Sequence, residues 1–275
     1  MVLNRTWHNM TNWNYVLPPS RPSISELDRI RTYCKNVDKS KPVAILGSTI
    51  EFRDLLAELG FKSIFVFDKN RSFYDNVSNL RAYNNEEVLV EGDWIVSLKK
   101  YNEYFELILS DLTMGNVDYI HRSIFYQNIS NAMTGNGVFI DKVLIHNSFK
   151  SIEYIRRKYE LLPINLRTIN DFSCEALFCS ELISSNEMVN TSLLYEQLKE
   201  QLNTEKLHKL IDLSSELITP QNCFWYYGKL WCELKEDYYK PFQKSIVYSN
   251  NDISSPYYGQ SYQIFNFSEK WRAHE

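Results

Sequence analysis

Val43-Ala44-Ile45-Leu46-Gly47-Ser48-Thr49-Ile50-Glu51-Phe52-Arg53 is the stretch that decides the fold. An unbroken apolar run ends in Gly47, small polar residues follow, and a helical pattern begins at once. A strand without polar alternation is one covered on both faces, as in a parallel sheet. Gly47 stands where backbone must turn sharply or come close to a ligand, and a helix opening just after it points unpaired amides at the same place. Any strand-to-helix turn can carry a glycine for structural reasons alone. The G-x-G-x-x-G of a dinucleotide site is absent, which weakens a dinucleotide oxidoreductase reading.

Outward from this stretch the alternation repeats. Helical patterns over 51–59, 71–82, 95–102 and 118–133 separate apolar runs at Ile64–Phe67, Val88–Val90, Leu107–Ser110 and Val138–Ile145. The expectation is an α/β protein with a doubly wound, mostly parallel sheet and helices on both faces. Residues 1–40 read as an arm and a helix: Trp7, Trp13 and Tyr15 precede Leu17-Pro18-Pro19-Ser20-Arg21-Pro22, and Ser23 or Ser25 can cap a helix over 24–38. Residues 41–148 form the core. Residues 149–222 read as an inserted helical cap, with helices over 149–160, 167–183, 191–202 and 204–218. Residues 223–275 turn aromatic and strand-like and are expected to supply the last, antiparallel strands.

The 275 residues, 44% hydrophobic and 15% aromatic, suffice for one large core or two modest ones. With 30 basic against 34 acidic residues, and no basic run longer than Arg156-Arg157-Lys158, duplex nucleic acid is not an expected partner. No stretch approaches the roughly 18 apolar residues of a membrane span, and Met1–Met10 has no apolar leader core, so no membrane partner and a cytoplasmic location are expected. The five cysteines are an odd number without a C-x-x-C pair; free thiols and no metal are expected.

The chemistry gathers at the ends of the strands. Asp68-Lys69 follows the second run, where a carboxylate can accept from both hydroxyls of a ribose; Asp68 could equally cap the next helix. Asp93-Trp94 follows the third run, as an adenine contact or as an ordinary turn. Asp111-Leu112-Thr113 follows the fourth, at the edge where open α/β sheets bind ligands.

In order and spacing, Gly47, Asp68, Asp93 and Asp111 resemble class I S-adenosylmethionine-dependent methyltransferases, over residues 41–146. The resemblance implies a Rossmann-like fold, S-adenosylmethionine as cofactor and S-adenosylhomocysteine as product. It implies that Gly47, Ser48, Thr49 and Glu51 lie beside the methionine part. Asp68 and Lys69 would meet the ribose, Asp93 and Trp94 the adenine, and Asp111, Leu112 and Thr113 the transferred methyl. The chain departs from the family's first loop, which has more glycines than Gly47 alone.

From the arm, Tyr15 and Arg21, with Trp13, can fold over the cofactor, since an aromatic face attracts a sulfonium as it does other cations; the alternative is an arm merely packed on the sheet. His121 is a candidate general base and Arg122 a candidate clamp for an acidic acceptor, against the alternative of surface helix residues. Asp141-Lys142 reads as a local ion pair. Trp225, Tyr226, Tyr227, Tyr238, Tyr239, Tyr257, Tyr258 and Tyr262 suit an acceptor surface or ordinary strand core. Because the Pro-Pro-aromatic loop of exocyclic N-methylation is missing after Asp111, the expected reaction is O-methylation of a carboxylate or hydroxyl on a peptide or natural-product-like acceptor. A small-molecule N-methyltransferase is the alternative. A non-catalytic nucleotide-binding or scaffolding protein of the same fold is the alternative from another class.

Overall fold

A computed structural model describes residues 13–144, 150–177, 179, 188–218, 224–226, 242–249 and 262–270. Five parallel strands form the centre: β1 (Pro42–Leu46), β2 (Ser63–Asp68), β3 (Glu87–Glu91), β4 (Phe105–Asp111) and β5 (Met133–Leu144). β6 (Met188–Asn190) and β7 (Phe224–Tyr226) make a separate antiparallel pair. β8 (Phe242–Ser249) and β9 (Tyr262–Lys270) complete a seven-stranded sheet of order β3-β2-β1-β4-β5-β9-β8, in which β9 runs antiparallel to both of its neighbours. The expected late antiparallel addition is therefore present, as one reversed strand between β5 and β8. An all-parallel dinucleotide sheet has no such strand.

The apolar runs bury both faces, as their lack of alternation requires. Val43, Ile45, Val66, Leu107, Leu109 and Ile140 pack under α1 (Ile24–Cys34) and α2 (Ile50–Glu58). Ala44, Leu46, Phe67, Ile108, Phe139 and Val143 lie on the other side, with α4 (Trp94–Ser97) and α5 (Tyr119–Ala132) against them. α3 (Arg71–Ser78) joins Phe73 and Val77 to Trp13, Val16 and Ile50 in a smaller cluster. β3 is the exposed edge, framed by Glu87 and Glu91.

The helices are shorter than their patterns. α1 stops at Cys34 instead of 38. α3 stops at Ser78 instead of running to 82, because the Asp54 carboxylate accepts from the amides of Ala82 and Tyr83 at 2.9 and 3.2 Å and draws the chain away. α4 covers a single turn and passes into a 3-10 turn over Leu98–Lys100.

The helical segment contains α6 (Ile152–Leu161), α7 (Leu166–Ala176), α8 (Thr191–Gln201) and α9 (Glu205–Leu217). Its α7 ends before the expected 183, and residues 180–187 lie outside the described part. Tyr159, Phe172, Leu198, Leu207 and Ile211 form its core, and Leu112 from the end of β4 is buried in the same cluster. Glu175 is held inside it by Lys158 at 2.7 Å and by the Tyr159 hydroxyl at 2.9 Å. Among the described residues, no helix is long and apolar enough to cross a membrane.

Ile108 sits at the centre of the sheet, fully buried between β1 and β5. Ile108→Ala is expected to lower stability by about 2–5 kcal/mol through lost burial and a residual cavity. Urea unfolding followed by circular dichroism measures this; a loss below about 1 kcal/mol would contradict the central, closely packed position of β4.

Candidate functional site at the strand ends

β1 pairs with β2 on one side and β4 on the other, so the strand order reverses at β1. Leu46 and Ser110 are register partners there, and open α/β sheets bind ligands beyond the strand ends at such a reversal. Gly47 turns the chain at φ 95°, a conformation that disfavours a side chain, and its amide donates to the Phe67 carbonyl at 2.8 Å. The indole Nε1 of Trp94 donates to that same carbonyl at 2.8 Å. One peptide oxygen thus ties together the ends of β1, β2 and β3.

The Ser48 hydroxyl donates to Asp68 Oδ2 at 2.6 Å, and the Asn70 amide donates to Oδ1 at 2.9 Å. Burial pushes the Asp68 carboxyl above its ordinary value, and these donors pull it part of the way back. Asp68 does not cap α3: Asn70 does, accepting from the Phe73 amide. Lys69 is exposed. Asp93 is the N-cap of α4, accepting from Ile95 at 2.8 Å, and is otherwise exposed.

Thr49 is the N-cap of α2 and makes no side-chain capping bond. The caps of α1, α3, α5, α6, α7 and α9 all accept one. The first turn of α2 therefore keeps amides open toward the strand ends, an arrangement suited to a carboxylate or other anion. Glu51, in that turn, pairs with Arg21 and accepts from Trp13 Nε1 at 3.3 Å, while its buried Oε2 has no hydrogen-bond partner. The Arg21 guanidinium lies 5.5 Å from the centre of the Trp13 ring. Tyr15 is half exposed.

At the end of β4, the buried Asp111 side chain lies 3.4 Å from Lys142 Nζ, its register partner on β5. Lys142 also lies 3.4 Å from Glu26 and donates to the carbonyl of Pro19 at 2.7 Å and of Arg21 at 3.2 Å. Burial pushes the Asp111 carboxyl up to about 7 against the opposing pull of Lys142. Burial alone would drive the Lys142 ammonium down; Asp111 and Glu26 together hold it above its ordinary value. Asp111 Oδ1 makes no hydrogen bond. Leu112 follows at φ 56°, sparsely populated for a branched side chain, and donates its amide to the Lys142 carbonyl at 2.8 Å. The Thr113 hydroxyl donates to the Leu46 carbonyl at 3.1 Å, tying the β4 loop to the end of β1. β7 runs beside the turn over residues 113–116, so the backbone of Phe224–Tyr226 is brought next to this loop.

Gly47, Ser48, Thr49, Glu51, Asp68, Trp94, Asp111, Leu112, Thr113 and Arg21 are thus linked at one edge. His121 is exposed on α5. Arg122 is buried; its Nε donates to Val117 O at 3.0 Å and its guanidinium lies over the Tyr119 ring. Tyr227, Tyr238, Tyr239, Tyr257 and Tyr258 lie outside the described residues, as do Trp7, Cys223 and Cys232. Cys34, Cys174 and Cys179 are buried thiols outside any disulfide. Among the described residues, no group of three His, Cys, Asp or Glu could hold a metal ion. Sequence reasoning missed Glu26, whose Ser23-x-x-Glu26 spacing signals the capping box that forms there but not its approach to Lys142.

No known protein-family model and no curated protein sequence matches the chain. Solved structures share its fold. A protein from Rhodobacter sphaeroides, provisionally described as a zinc-dependent alcohol dehydrogenase, superposes with a TM-score of 0.56 at 13% identity, over 99% of this chain and 100% of its own. An S-adenosylmethionine-dependent methyltransferase from Methanosarcina mazei superposes with a TM-score of 0.50 at 10% identity, over 88% and 98%. These likenesses establish the fold and no activity: the chain has the class I, Rossmann-like fold found among S-adenosylmethionine-dependent methyltransferases.

The raised Asp111 carboxyl makes a signed prediction. The folded protein holds this proton up to about pH 7, whereas an unfolded aspartate releases it near the ordinary value of 3.8. The contribution to stability is thus full below the unfolded value and is lost as pH rises through about 7. Urea unfolding at several pH values should show wild-type stability falling between these limits relative to Asp111→Asn, and parallel curves would contradict the buried placement of Asp111.

Proposed function

We propose that the chain is an S-adenosylmethionine-dependent methyltransferase. The observation that carries this reading is the polar pattern across the reversal point. Asp68 stands at the end of β2 with its carboxylate in reach of local hydroxyl and amide donors. The nearly buried Glu51 keeps Oε2 without a hydrogen bond, and Asp111 is buried at the end of β4 with its Oδ1 facing Lys142. The uncapped start of α2 lies beside Gly47. A ligand with a vicinal diol, an ammonium, a sulfonium and a carboxylate fits this set. Asp68 would accept from the ribose hydroxyls, Glu51 would face the ammonium, and the α2 amides would face the carboxylate. Trp94 and Asp93 would border the adenine, with Lys69 beside the ribose at the surface. Asp111, Leu112 and Thr113 would border the reacting end, while Tyr15, Arg21 and Trp13 would close over it.

The cofactor supplies an activated methyl on sulfur. The chain supplies alignment and exclusion of water, which for an in-line displacement are worth much of the rate. Asp111, with its carboxyl near neutrality, can take up a proton from an acceptor that arrives protonated. His121 is exposed on α5 and the Arg122 Nε donates to Val117 O, so this reading draws the step without them.

For the acceptor, we infer an oxygen nucleophile on a small molecule or peptide, with the segment 149–222 and the aromatic return as its site. Support comes from the missing Pro-Pro-aromatic motif after Asp111 and from β7, whose Phe-Trp-Tyr backbone runs beside the 113–116 turn. N-methylation of a small molecule is the alternative within the same site.

Calorimetric titration with S-adenosylmethionine and S-adenosylhomocysteine tests the reading. Asp68→Ala should weaken binding about 100-fold or more by removing two charge-assisted hydrogen bonds, with the circular dichroism spectrum unchanged. Absence of wild-type binding at millimolar cofactor, or full affinity in Asp68→Ala, would reject the assignment.

A further inference from the structure

Glu51 is the polar side chain at the start of α2, and the residues that face it, Trp13 and Arg21, come from a strap with little structure of its own. Within residues 13–22 there is one 3-10 turn at Trp13–Tyr15 and two backbone bonds, Val16 to Trp13 and Ser20 to Leu17. Arg21 adds bonds from its NH1 to the carbonyls of Trp13 and Val16 at 3.2 and 3.4 Å. Ordering such a segment costs backbone entropy at every residue, so its position must be imposed from outside.

Two buried side chains impose it, from opposite sides. On the sheet, Lys142 Nζ donates to the carbonyls of Pro19 and Arg21. On the helical segment, Asn170 of α7 is 1% exposed; its Oδ1 accepts from the Leu17 amide at 2.8 Å, and its Nδ2 donates to the carbonyls of Tyr15 and Leu166, both at 2.9 Å. Arg167 and Cys174 of the same helix meet Pro18 O and Ser20 Oγ at 3.3 and 3.2 Å. The Asn170 amide reads the strap as a neighbouring strand would, with one acceptor for its N–H and one donor for its C=O.

We propose that Asn170 and Lys142 are positioning residues of the cofactor site: they hold the strap that places Trp13 and Arg21 on Glu51, so that a helix of the inserted segment builds part of the methionine end. The inference rests on the cofactor reading above. Asn170 itself touches no ligand, because its oxygen and both amide protons are committed to backbone. A purely structural Asn170 would change thermal stability alone; a positioning Asn170 changes affinity, and changes it through Glu51.

The test is calorimetric titration of S-adenosylhomocysteine into the full chain, as wild type, Asn170→Ala, Glu51→Gln and the double variant, well below their unfolding temperatures. Asn170→Ala is expected to weaken binding about tenfold, the scale of one or two lost hydrogen bonds. In the Glu51→Gln background the same change should have little further effect, the non-additivity expected of residues acting through one contact. If Asn170→Ala does not fold, Glu26→Gln/Lys142→Met removes one charge of each sign, frees the strap from the sheet side, and is expected to weaken binding similarly. Wild-type binding with affinity within twofold in whichever variant folds overturns the proposal alone, as does full additivity with Glu51→Gln. No binding by the wild type overturns the cofactor reading and this proposal with it.

Discussion

One ammonium group ties together parts of the chain that are remote in sequence. Lys142 on β5 reaches Pro19 and Glu26 across separations of 123 and 116 residues, and it sits beside Asp111 at the neighbouring strand end. Removing a single partner from a buried ion pair typically costs about 3–5 kcal/mol, because the other charge is left inside without compensation. Exposed pairs such as Arg156 with Glu153 contribute a small fraction of that. Lys142 thus fixes α1, the strap and the edge of the central sheet in one arrangement, and the polar residues of the reversal point inherit their positions from it.

The parts legible in the sequence were those written locally. Parallel strands buried on both faces appear as apolar runs, and Gly47, Asp68 and Asp111 could be placed at strand ends because the runs stop there. Trp94 was placed at the third strand end, but its bond to Phe67 O was not foreseeable, since it depends on how β2 and β3 lie together. Helix ends were less legible: α3 is cut short by Asp54, a side chain on another helix. The contacts of Asn170 left no local trace, because a residue that binds backbone carbonyls and amides recognises no particular side chain, and those of Lys142 join it to residues remote in sequence. Arg122 shows how little burial is legible from a charged residue type. A charged residue following a strand-end loop reads as a surface position or an acceptor clamp, yet Arg122 is buried, with its Nε on Val117 O and its guanidinium over the Tyr119 ring.

The polar residues at the reversal point are paired without being saturated. Arg21 faces Glu51 and Lys142 faces Asp111, which limits the cost of burying each carboxylate, while Glu51 Oε2 stays without a hydrogen bond. In the proposed reading such a site would be preorganised for a cationic guest, since its charged groups are already buried and held from behind. Leu112 connects this edge to the helical segment, its backbone bonded to β5 and its side chain in the core around Phe172.

The reversed strand β9 has a consequence for how the protein is made. β8 precedes β9 in the chain but does not touch β5; it reaches the sheet only through β9. During synthesis the five parallel strands can assemble while β8 has no place to dock, and β5 presents an unpaired edge until residues 262–270 emerge. Unpaired edges are where chains join their neighbours by mistake. A nascent or truncated chain ending before β9 would lose two strands rather than one, and the exposed flank of β5 would be the surface on which quality-control factors or other copies of the chain could settle.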